Sequence, residues 1–223
     1  MNTIVADTGT VRMPITLTTL DAFRAWIHSE AVSEETRACF LDGEVWIDMS
    51  KEQLFSHNQV KSELNIVLGG LAKSMQLGRY VPDGMLFSNA VANLSAQPDG
   101  AFVSYRSLQD GKVVLVEGTK RGIVELDGEP EMVVEVVSGS SIEKDKKTLP
   151  DLYYRAGVLE YWLIDARIEP LDFAIFQRGA DRFEPNVDHE GWVASTVFGR
   201  EFRLSRRSDP LGHPEFLLDY RES

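Results

Sequence analysis

The chain has 223 residues, 43% of them hydrophobic and 26% charged, the balance of a globular protein with enough length to bury a core. A formal net charge of −12 argues against broad, non-specific nucleic-acid binding, which needs a basic surface, and a single cysteine excludes an internal disulfide or a cysteine-based metal cluster. No apolar run reaches the length of a membrane span, and Met1 to Asp7 has neither the basic start nor the apolar core of a signal peptide, so a cytoplasmic protein with no membrane attachment is expected.

Residues 1–16 show no period and read as a loose arm. Thr18-Thr19-Leu20-Asp21 is a capped helix start, followed by Leu20, Phe23, Ala25, Trp26 and Ile27 as an apolar stripe. Arg37 to Leu41 and Glu44 to Met49 then flank Asp42-Gly43, the pair that suits a tight hairpin turn in which both central residues need positive φ. Cys39 sits in an apolar run and reads as a small buried hydrophobe rather than a nucleophile. On the second strand Glu44, Trp46 and Asp48 share one face.

Residues 54–77 carry the clearest helical period: Val60, Leu64, Val67, Leu68, Leu71 and Met75 recur at spacings of three and four, with Ser56 placed to cap the start and Gly78 to end it. His57 falls in the first turn, either as an ordinary polar residue at a helix end or as a functional group. Short strands are expected at Arg79 to Val81 and Gly84 to Ser88, and Pro98 suits the first position of another strand, so that Asp99 enters the sheet beside it. Residues 106–122 are loop-rich, with short strands expected at Val113 to Val116 and Gly122 to Leu126.

The run Met132-Val133-Val134-Glu135-Val136-Val137 has the length and valine content of a strand buried on both faces. Alternation puts Val133, Glu135 and Val137 on one side and Met132, Val134 and Val136 on the other. A carboxylate there either lies at an edge in contact with water or needs a basic partner, a raised pKa or a metal ion, because burying it unpaired costs several kcal/mol. After a Ser138-Gly139-Ser140-Ser141 loop, Pro150 is tolerated only in a first helical turn, which places the regular helix at about Leu149 to Ala156 with Gly157 as terminator. Lys144, Lys146 and Lys147 cluster before it, and Arg200, Arg203, Arg206 and Arg207 cluster later. Each group is either a basic groove or a solvated face. Glu160 to Asp165 and Leu171 to Phe176 read as paired strands, with further strands at Trp192 to Phe198 and Glu201 to Leu204, and 208–223 is left as a C-terminal tail. Strands mixed with a few helices define an α/β (α+β) class with a mixed central sheet. One domain is expected over 17–207.

Taken together, Leu41-Asp42-Gly43-Glu44, Ser56-His57-Asn58, Gln97-Pro98-Asp99, Pro130 to Ser138, Asp145, and Leu152 to Asp165 with its Ala-Gly-Val-x-Glu-Tyr-Trp segment resemble the Uma-two family, over roughly residues 18–180. The resemblance implies a restriction-endonuclease-like fold of the PD-(D/E)XK superfamily and a Mg²⁺-dependent endonuclease acting on DNA, with Mn²⁺ as a substitute. It makes Asp99 and Glu135 the metal ligands, and Glu44 and His57 residues of the same cleft. It leaves Tyr161 and Trp162 as core aromatics, and is compatible with a homodimer cutting two strands. The superfamily lysine is absent: Val137 stands two residues after the glutamate, and Leu149 stands where the family takes a lysine from the following helix. Lys146, three residues before Leu149, is the choice to assist the attacking water, with Lys144 and Lys147 as the other candidates. The alternative is a weak or inactive member that binds nucleic acid or a protein partner through the same cleft, and a third reading is a structural domain with a solvated acidic cluster.

Overall fold

Alternation along the valine-rich run around Glu135 divides the protein into two cores. The computed structural model describes residues 3–6, 9–12, 14, 17–33, 36–48, 50–119, 122–186 and 189–222. The chain begins with a ribbon, β1 (Thr3–Ala6) and β2 (Gly9–Arg12), inside the stretch expected to be a loose arm. Helix α1 (Leu20–Ile27) follows, capped by the Thr19 side chain, which accepts from the Ala22 amide. The hairpin β3 (Arg37–Leu41) and β4 (Glu44–Asp48) turns through Asp42 and Gly43, both at positive φ as the turn chemistry requires. Met49, expected to close that strand, lies outside the described residues.

A wide π-helical turn (Leu54–Gln59) leads into α2 (Val60–Ser74), and β5 (Gly78–Pro82), β6 (Leu86–Asn89), β7 (Leu94–Ala96) and β8 (Gly100–Ser104) come next. The helix starts without a side-chain cap: Ser56 donates instead to Gln53 Oε1 at 2.6 Å. Its end is also not at Gly78, because Gln76 takes the left-handed turn (φ 53) and Gly78 already begins β5. Past β8 lie α3 (Tyr105–Gln109), β9 (Val113–Glu117), β10 (Ile123–Gly128), β11 (Met132–Val136), a second π-helical turn (Lys144–Thr148) and α4 (Leu149–Arg155). Gly157 stops α4 in the left-handed region (φ 86), as its place after the last periodic residue predicts. The chain closes with β12 (Glu160–Asp165), β13 (Asp172–Arg178), β14 (Phe183–Pro185), β15 (Val193–Ser195), β16 (Arg200–Ser208) and β17 (Pro214–Glu222).

Two six-stranded mixed sheets form the body, in orders β4-β3-β7-β6-β10-β9 and β14-β13-β12-β11-β8-β5. In the second, β11 runs parallel to β12 and antiparallel to β8. Val133 and Val137 pack between the sheets with Phe87, Leu94, Tyr161 and the α4 residues Leu149, Leu152 and Tyr153. Met132, Val134 and Val136 face the other way, onto Val60, Leu64 and Leu68 of α2 and onto Phe202, Phe216 and Leu218. The expected division of this strand therefore holds residue by residue, and Tyr161 and Trp162 are core aromatics. A third, smaller cluster seats Phe23 and Trp26 of α1 on Phe40 of β3.

The C-terminal boundary needs correction. Residues 208–222 are not a tail: β17 pairs with β16 along its whole length and buries Phe216 and Leu218. Its alternating pattern is short and charged at the end, and the apolar face it covers belongs to α2 and β11, far away in sequence.

Candidate functional site

The ladder between β8 and β11 pairs Met132 with Phe102, Val133 with Ala101 and Val134 with Gly100. Just past this last pair, Glu135 continues β11 while Asp99 lies one residue before β8. The register therefore brings both acids to the same end of the strand pair. The Asp99 side chain also accepts from the Val136 amide at 2.7 Å. Gly100 is required next to it, because a Cβ there would meet the Tyr80 hydroxyl at 2.2 Å.

Asp99 and Glu135 open into one cavity of about 140 Å³, walled by the β3–β4 hairpin, the Ser138–Ser141 loop and the two π-helical turns. Glu135 is only 2% exposed, and the buried Tyr153 hydroxyl donates to its Oε1 at 2.6 Å. Burial pushes the Glu135 carboxyl well above its usual range, and the neighbouring Asp145 and Asp99 push the same way, against Lys144. Asp145, at 1% exposure, is shifted up to about 6, chiefly by burial. Ser141 donates to Asp145 Oδ2, while Oδ1 accepts no hydrogen bond and has Lys144 Nζ at 3.5 Å. The Tyr161 hydroxyl holds the Asp145 carbonyl at 2.7 Å. Lys144 is raised: burial opposes its charge, but Glu135 and Asp145 outweigh it.

On the opposite wall a charge network surrounds Asp99. His57 Nε2 lies 3.5 Å from Asp99 Oδ2, and Lys61 Nζ lies 3.5 Å from Oδ1. Lys61 is also held by Glu52 at 2.8 Å and Asp83 at 2.7 Å, and Arg37 pairs with the same two acids. Burial would raise the Asp99 carboxyl, yet His57, Lys61 and the Val136 amide together hold it below its usual range. Burial likewise works against the charged imidazole of His57, and Asp99 reverses this, so His57 is raised.

Of the residues expected at the site, Asp99, Glu135 and His57 line the cavity. Glu44 does not. It is exposed beside the hairpin turn, where it accepts from Trp46 Nε1 at 3.2 Å, and it is Trp46 and Asp48 of the same face that reach the cavity. Lys146 does not either, because its Nζ pairs with Asp165 at 2.9 Å and Asp172 at 3.7 Å. The three lysines of this turn go to different partners. Lys147 pairs with Glu143 in solvent, and Lys144 is the one turned inward.

Sequence reading passed over Lys61, Glu52, Asp83 and Arg37 as site residues, and took Asp145 only as a motif position. A signal existed for Lys61: His57, Lys61, Leu64 and Leu68 follow spacings of four, three and four, so two polar residues continue a buried stripe.

The donor set at the floor of the cavity is all oxygen, the preference of a hard divalent cation. Among the described residues no three His, Cys, Asp or Glu side chains stand together as a ready-made metal cluster. Asp99 and Glu135 could hold a cation that keeps several waters, as Mg²⁺ does.

Two mixed sheets enclosing an acidic cavity at the β8–β11 junction place the protein in a mixed α+β class shared with a nuclease fold. It is similar to a crystal structure described as "a putative nuclease belonging to DUF820" from Anabaena variabilis, with a TM-score of 0.59 at 15% identity over 81% of this chain and 90% of that one. The family model Uma2, described as "Putative restriction endonuclease", matches residues 20–206, and the chain belongs to this family. No curated protein matches it. No helix among the described residues is long and apolar enough to cross a membrane.

Proposed function

We propose that this protein is a Mg²⁺-dependent endonuclease that hydrolyses phosphodiester bonds of DNA, with Mn²⁺ able to substitute. The observation that carries the reading is the convergence of Asp99 and Glu135, from the same end of the β8–β11 pair, into one cavity that also receives Lys144. A hard cation bound there supplies Lewis acidity and lowers the pKa of a bound water.

The chain's own residues do the rest. Tyr153 fixes the rotamer of Glu135, and the Val136 amide fixes that of Asp99. Lys144 carries the role expected of Lys146: its ammonium, inside a poorly solvated cavity, orients the attacking water and offsets charge growing on the phosphoryl oxygens. Arg37, 43% exposed by its side chain at the cavity wall, is placed to bind a phosphate from outside, and His57 contributes a second cationic donor. The inactive-binder reading rests on Val137 and Leu149 at the lysine positions and on the acidic net charge; the inward-facing Lys144 answers the first of these.

The test is nicking of supercoiled plasmid in Mg²⁺ or Mn²⁺ beside Asp99→Ala. Nicking by the parent protein and its loss in the variant is expected. Equal nicking by both overturns the proposal.

A further inference from the structure

Beside the acidic cavity lies a second one of about 420 Å³, and the two share walls. Gly139 lines the second cavity while its neighbours Ser138 and Ser140 line the first. Phe55 and Ser56 line the second while Glu52 and His57 line the first. A hydrogen bond from Ser140 to Ser50, 2.9 Å, ties the two walls together.

The second cavity inverts the charge of the first. Arg167 and Arg206 line it, and among the described residues no carboxylate does, in a chain with a net charge of −12. Their acidic partners stand behind them. Arg167 forms a bidentate pair with Asp165 at 2.9 and 2.8 Å. Arg206 uses Nη1 on Glu169 at 2.6 Å and Nη2 on the carbonyls of Ala166 and Ile168, and its guanidinium lies 5.5 Å over the Phe216 ring. Its Nε–H meets no acceptor. Glu169 is 78% exposed, so its hold on Arg206 is the kind of surface pair an incoming phosphate can displace. Phe55 stacks on His213 with ring centres 5.1 Å apart, adding a flat aromatic pair at the rim.

We infer that this cavity is a phosphate-binding groove that guides the DNA backbone out of the catalytic cavity across the Gly139 and Phe55 ridge, Arg167 and Arg206 being its anchors. The inference rests on the nuclease reading above, since it takes DNA as the occupant. A phosphodiester chain offers anionic oxygens that can replace the exposed Glu169 at Arg206 and meet the guanidinium edge that Asp165 leaves open on Arg167, and Arg is suited to that contact.

The experiment measures binding of a fluorescein-labelled DNA duplex of mixed sequence, by anisotropy over a salt series, with Ca²⁺ in place of Mg²⁺. Arg206→Ala and Arg167→Gln should each weaken binding and reduce the slope of log affinity against log salt by about 0.9, the value for one phosphate contact on duplex DNA. Glu169→Gln, at an exposed position that a folding defect would not complicate, should do the reverse by freeing Arg206. Binding by the parent protein with all three slopes unchanged overturns the groove and leaves the nuclease reading standing. Absence of DNA binding by the parent protein overturns both.

Discussion

Asp99 Oδ2 accepts the Val136 amide at 2.7 Å, so the carboxylate that enters one strand is clamped to the backbone of the next, one residue past Glu135. This bond joins the pairing of β8 and β11 in keeping the two acids at one end of the sheet. Asp99 also faces His57 and Lys61, which gives the first expectation a pH signature.

His57 is raised by Asp99, so folding binds its proton more tightly than the unfolded chain does. The stability it adds is full below its ordinary pKa of about 6.5 and is lost as pH rises through the higher folded value. Nuclear magnetic resonance titration should show His57 above the ordinary value, and Asp99→Asn should bring it down. A His57 that titrates identically in both proteins would contradict the pairing.

Tyr153→Phe removes the buried donor to Glu135 while leaving the ring in place. Leaving a buried carboxyl oxygen without its partner costs about 1–3 kcal/mol. Urea unfolding should show a lower midpoint with an unchanged slope.

The three lysines near the second π-helical turn should separate by function. Lys144→Met is expected to cut plasmid nicking by roughly 100-fold or more, the scale of losing one preorganised charge at a reacting group. Lys146→Met should leave the nicking rate unchanged and cost at most about 1 kcal/mol, because its bridge to Asp165 is partly exposed and Arg167 still holds that acid. The reverse pattern would return the role to Lys146.

Glu135 and Asp145 are both raised, Asp145 to about 6, so without metal the folded state binds their protons more tightly than the unfolded chain. Stability from Asp145 is therefore full below its ordinary pKa near 4 and lost as pH rises toward 6, and Glu135, also raised, loses its contribution in the same direction as pH rises. A divalent cation relieves this crowding only after the protons leave. Thermal unfolding should show a Mn²⁺-induced rise in Tm that grows with pH across this window, and a pH-independent rise would count against Glu135 as a ligand.

Lys61→Met tests the other wall. It removes the buried ammonium shared by Glu52, Asp83 and Asp99, leaving the first two to Arg37 and Asp99 to His57, and removing one partner from such a network costs up to about 3–5 kcal/mol. Calorimetric melting should show a much larger loss than for Lys146→Met.

Much of this protein could be read before any coordinates. Period-two alternation assigned each face of the strand around Glu135, Asp42-Gly43 marked the hairpin turn, and Gly157 marked the end of α4, because each depends on local backbone chemistry alone. Grouping Asp99, Glu135 and His57 comes from the family resemblance and not from local pattern, since Asp99 precedes its strand and His57 lies in a π-helical turn. What local pattern cannot carry is direction across space. Which of Lys144, Lys146 and Lys147 turns inward depends on how a π-helical turn is wound against Asp165 and Asp145. The loss of Glu44 from the cavity depends on where the hairpin's turn end falls relative to the sheet junction. The burial of β17 and the gathering of Lys61, Glu52, Asp83 and Arg37 about Asp99 depend on contacts between segments distant in sequence, and only the packed tertiary structure determines those.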